Sequence, residues 1–260
     1  GMAMKNILKI MLMMITIFTI AGSAVYAAEI PVSDQDQLIT SSDWTEISNL
    51  QDEMKKEEPD ATIDYDKALK VYVDCNLIKL QTADTKKLTS ALESANYVWV
   101  IPFKMEKTYG MFTVAKGLPL SEEAKSVLTK AEQEEVKNHA GKWMITEIAE
   151  HTVEPYYDIL LEKREALSDC TRVVLVGSQP GMRQPVALGM DDETARIWIS
   201  LGYQYPVMEK IPETQNVESG VYSFESVAEI SDTYIEDSEV STGAGVQSRS
   251  SMKYVAGIGI

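Results

Sequence analysis

With 260 residues the chain can bury one sizeable core, and its 40 acidic against 24 basic side chains set the formal charge at −16. That excess repels phosphate backbones and anionic lipid, which excludes nucleic-acid binding driven by counterion release. Two histidines, and two cysteines without zinc-knuckle or C-x-x-C spacing, exclude histidine-rich metal sites and dithiol redox motifs.

Residues 1–27 are expected to be a signal peptide. Lys5 and Lys9 form a basic n-region, Ile10 to Ile20 an uncharged apolar h-region, and Val25 and Ala27 suit a peptidase cutting after Ala27. The competing reading is an uncleaved anchor, but the apolar run is shorter than the roughly 20 residues a bilayer span needs. Cleavage removes two lysines and no acids, so the mature chain is more acidic still.

Residues 28–64 read as an acidic N-terminal segment with one short helix. Asp43 and Glu46 have capping-box spacing, Trp44, Ile47, Leu50 and Met54 recur on one face, and Pro59 cannot continue the ladder. A globular domain is expected over 65–212. Its first elements are a strand at Leu69–Val73, a helix at Asp84–Ala95, and a hairpin of Tyr97–Phe103 with Gly110–Val114. Ser121 to Ala140 reads as one long helix with Ala124, Val127, Leu128 and Ala131 inward, ended by Gly141. The same order then recurs: a strand at Trp143–Ile148, a helix from Pro155, strands at Thr171–Val176 and Pro185–Leu188, and one more at Thr194–Ile199.

The expected fold is therefore α+β, a two-layer arrangement of a mainly antiparallel sheet with helices packed on one face, built from two β-α-β-β units if the recurrence is real. Residues 213–250 are rich in Ser, Glu, Asp, Thr and Gly and read as a flexible acidic stalk. Residues 251–260, ending in Tyr254–Ile260, read as the start of a truncated membrane anchor, against a frayed tail or a last strand.

Three constellations could carry chemistry. Glu147, His151 and Glu154 would share one face of a helix and grip a divalent cation; on a strand they separate and become a solvated acidic edge. The loop Gly177–Gly181 with Arg183 offers Ser178, Gln179 and Arg183 to a ligand, against ordinary Gln-Pro-Gly turn chemistry. Cys75 and Cys170 either form a disulfide or stay as two buried thiols. No cofactor loop is present, and the carboxylates are too scattered to nominate a glycosidase pair. These features point to an exported, noncatalytic binding module for a protein or small molecule at the cell surface or beyond it. The alternative is an extracytoplasmic ligand-binding sensor domain of a membrane-anchored protein, followed by a hydrolase using Ser178 or the Glu147–Glu154 acids.

Overall fold

The computed structural model describes residues 29–151, 154–177, 179, 184–202, 216–231 and 248–249. The expected signal peptide and membrane anchor lie outside these residues, as do Ser178 and Arg183.

Apolar runs become strands. Strands β2 (Leu69–Tyr72), β3 (Tyr97–Lys104), β4 (Tyr109–Lys116) and β5 (Trp143–His151) pair antiparallel in the order β5-β4-β3-β2. A second antiparallel set holds β6 (Arg172–Val176), β7 (Val186–Met190), β8 (Ala195–Ser200), β10 (Val221–Ser223) and β9 (Asn216–Glu218), in that spatial order. The two sets meet at one parallel pair, β2 with β6, in the register Val71 to Leu175 and Tyr72 to Val176. A short strand β1 (Thr62–Ile63) lies along the end of β3, and Ser248–Arg249 (β11) pair with β5. The result is one mixed sheet of an α+β protein.

Alternation sends side chains to two buried faces. On β3, Trp99, Ile101 and Phe103 face one way and Val98 and Val100 the other. The first face is covered by α1 (Trp44–Ile47) and α2 (Gln51–Glu57), which bury Ile47 and Met54. It continues past Tyr72 to α3 (Thr85–Glu93) and α7 (Phe224–Ser231), which bring Leu88, Leu92, Phe224 and Val227 onto Val174, Leu188 and Trp198. The opposite face takes Tyr156 and Leu160 of α6 (Tyr156–Glu162), packed with Val71, Val98 and Leu175.

Helices thus flank both faces, where two layers with helices on one face were expected. The reason is in the strands: β3, β6 and β7 are buried on both sides nearly throughout, as near-continuous apolar runs require. Nor does the recurring β-α-β-β order produce two like units. β2 and β3 are neighbours, whereas β4, β3 and β2 all lie between β5 and β6.

Two further expectations are corrected. Residues 216–231, assigned by composition to a stalk, are built into the fold. Tyr222 pairs with Trp198, and Val221, Tyr222, Phe224 and Val227 are buried. The long helix is two, α4 (Glu122–Val127) and α5 (Lys130–His139). Thr129 turns extended between them and forms a capping box with Glu132, which leaves Val127 79% exposed.

Candidate functional site

The residues nominated from sequence do not converge. Gln179 is 1% exposed and faces inward: its Nε2 donates to the carbonyls of Cys75 and Gly177, and its Oε1 accepts from the Leu77 amide. Both amide hydrogens are therefore used to tie two loops together, and Gln179 is a structural pin. Glu147 and His151 stand on β5, where four residues of extended chain span roughly 13 Å, too far to share an ion. Glu154 lies beyond the strand, and its carboxyl is pushed up chiefly by the nearby charge of Glu162 on α6. Among the described residues no group of three His, Cys, Asp or Glu side chains could hold a metal. Cys75 and Cys170 are free thiols in clusters on opposite faces, so the sheet separates them; burial pushes Cys170 up to about 11.

What the fold does bring together is a polar and aromatic centre on the face that β2 and β3 share with the N-terminal segment. Asp36, 2% exposed, accepts hydrogen bonds from Ser33, from the Tyr72 hydroxyl at 2.8 Å, and from Arg172 Nε and Nη2 at 3.0 and 2.8 Å. Asp43, expected to cap α1, makes no such cap. Its Oδ2 instead accepts from Tyr97 Oη at 2.8 Å and Trp99 Nε1 at 3.0 Å. Lys70 Nζ lies over three rings, 4.2 Å from the centroid of Tyr97, 5.3 Å from Trp99 and 5.6 Å from Tyr72. Burial lowers the Lys70 amine below its ordinary value; Asp36 and Asp43 pull it back and Arg172 adds to the lowering. Burial, and then the adjoining carboxylates, raise the hydroxyls of Tyr72 and Tyr97, so both stay protonated as donors.

Tyr97 links this centre to the outside. It opens β3 at the end of the sheet where β4 finishes at Lys116 and β5 begins at Trp143. Tyr97 and Trp143 meet at 5.9 Å between centroids, tilted 44°, and both line a pocket of about 310 Å³ together with Asn96, Lys116, Leu118 and Pro119. Lys116 Nζ stands 5.7 Å from the centroid of the Trp143 ring. The mouth is fixed by backbone. Gly117 donates to the Lys142 carbonyl at 2.9 Å and accepts from the Gly141 amide at 2.8 Å. A Cβ at Gly117 would lie 2.0 Å from the His139 carbonyl oxygen, and Gly141 takes φ +74°, so both positions require glycine.

Sequence reasoning missed this pocket. Tyr97, Lys116 and Trp143 are far apart in the chain, and only the β3-β4-β5 register places them together. A hint exists in Tyr97 and Trp143, each the first residue of an apolar strand. No protein-family model, curated protein or solved structure matches this chain.

Proposed function

We propose that the chain is an exported, noncatalytic binding module that takes a small ligand in the pocket between Tyr97 and Trp143. One observation carries the ligand-binding part of this reading. The Tyr97 ring is held from behind by Asp43, Lys70 and Trp99, and it forms a wall of a pocket of ligand size. A wall fixed before the ligand arrives loses little freedom on binding. Asp43 behind it accepts from both Tyr97 and Trp99, which suits holding a shape over transferring protons. The ligand's chemistry follows from the lining. A planar or ring-bearing body packs on Tyr97 and Trp143, and an anionic group meets the Lys116 ammonium at the rim. Export is supported by the basic, apolar and small-residue order of residues 4–27.

Calorimetric titration of the full chain with benzoate and with the isosteric, uncharged benzamide tests the reading. Saturable benzoate binding is expected, at least several-fold tighter than benzamide and lost in Lys116→Ala at an unchanged melting temperature. Equal binding of the two probes, no saturation, or an unaffected Lys116→Ala variant would each reject it.

A further inference from the structure

At the far end of the same face lies a second and larger depression, a groove of about 760 Å³ between α7 and the loop that follows β2. Its floor is apolar: Ile78, Ala83, Phe224 and Ala228. On the loop side stands Gln81, held in the left-handed region at φ +50°, next in sequence to Leu80, which is 44% exposed. Among the described residues two charged side chains line the groove, and both are acids: Glu225 and Glu229, exposed and one helical turn apart on α7.

We propose that this groove docks a segment of another protein that carries apolar anchors flanked by lysine or arginine. The floor supplies the burial, and the two glutamates select a cationic flank. Charge also separates this partner from the segment that directly follows α7; the next basic residues, Arg249 and Lys253, come after that segment, and Arg249 pairs with β5 at the opposite edge of the sheet. Residues 232–247 contain Asp232, Glu236, Asp237 and Glu239 and no Lys or Arg, so they meet Glu225 and Glu229 with like charge. A second copy of a chain at −16 meets the same repulsion. The proposal is independent of the Tyr97–Trp143 pocket, which is lined by different residues.

Fluorescence anisotropy of the full chain with two labelled model peptides of one apolar pattern, one with lysines at its polar positions and one with glutamates, tests it. Tight binding of the lysine peptide alone is expected, weakening as salt rises. The double variant Glu225→Lys/Glu229→Lys should weaken it by about tenfold or more, since each exposed pair contributes up to about a factor of five and reversal adds repulsion. The control is Glu134→Lys/Glu135→Lys, which makes the same change of net charge on α5. If that control weakens binding as much, the attraction is only overall charge and the groove assignment fails. It fails too if the glutamate peptide or a synthetic 232–247 peptide binds as well. Self-association in sedimentation that the Glu225/Glu229 variant abolishes would assign the groove to a second copy and overturn the proposal.

Discussion

Asp191 shows how much one carboxylate can organise. It closes the β7–β8 turn, accepting from the amides of Glu193 at 2.8 Å and Thr194 at 2.6 Å and pairing with Arg196. The Thr194 amide, then Arg196 and the Glu193 amide hold its carboxyl down to about 2. A value depressed by folding stabilises the native state fully above the unfolded value of about 3.9, and that stabilisation drains away as pH falls through about 2. Carbon-detected titration of the Asp191 carboxyl should therefore give a midpoint well below 3. A midpoint near 4 would mean that the turn is not held by these bonds. Cys170 makes the opposite case, a group that folding silences. Buried to 9% exposure and raised to about 11, it should resist a thiol reagent at pH 8 in the native protein. Both cysteines should react once the chain is unfolded without reductant; a protected pair at that point would reveal a disulfide and contradict the separation of the two clusters.

At the scale of elements, the last helix decides where the domain ends. Val221 and Tyr222 alternate between the two faces on β10. Phe224, Val227 and Ala228 then follow at helical spacing, with Phe224 6.1 Å from Trp198. Phe224→Ala should cost about 3–5 kcal/mol in urea denaturation, as truncation of a core aromatic does. A change under 1 kcal/mol would return the segment to a stalk. The composition around it hid this element, because a short strand and one helical turn of core contacts are diluted by serine and acid on either side. The longer strands were legible for the converse reason: a run such as Tyr97–Phe103 is apolar throughout and has no other use. Pairing was not legible. Whether β6 lies beside β5 or β2 depends on contacts about 100 residues apart, as Val71 with Leu175 shows, and no local pattern encodes that. The same non-locality concealed the pocket, and it drew attention to Glu147 and His151, whose proximity along the chain carries no proximity in a strand. Asp43 illustrates a narrower failure: cap spacing was present, but a half-buried tyrosine and a buried tryptophan competed for its carboxylate and won.

At the scale of the molecule, the backbone connection at the seam between the two antiparallel sets is thin, since β2 and β6 share two paired positions. Other contacts cross it. On one face Val71 and Leu175 pack with Leu160 of α6. On the other, Asp36 reaches from the N-terminal segment to take the Tyr72 hydroxyl from β2 and the Arg172 guanidinium from β6, and Arg172 Nη2 also donates to Tyr72 at 3.1 Å. Asp36 is thus a polar staple over the seam, and its side chain is 3% exposed against 17% for Arg172. Removing one partner of such a pair leaves the other charge poorly solvated, so Asp36→Ala should cost about 3 kcal/mol. A second effect follows from its position. The intact chain should unfold in one transition, with β3–β4 and β7–β8 peptides showing equal protection in hydrogen exchange near the midpoint. In Asp36→Ala the two sets should separate, one losing protection at lower denaturant than the other, because the polar link over the seam is gone and only the two-residue parallel pair, the apolar clusters on the two faces and the Gln179 and loop-backbone hydrogen bonds remain. If the variant loses stability but both sets still exchange together, the apolar clusters on the two faces and the Gln179 bonds couple them without it. Asp36 then serves only to neutralise Arg172.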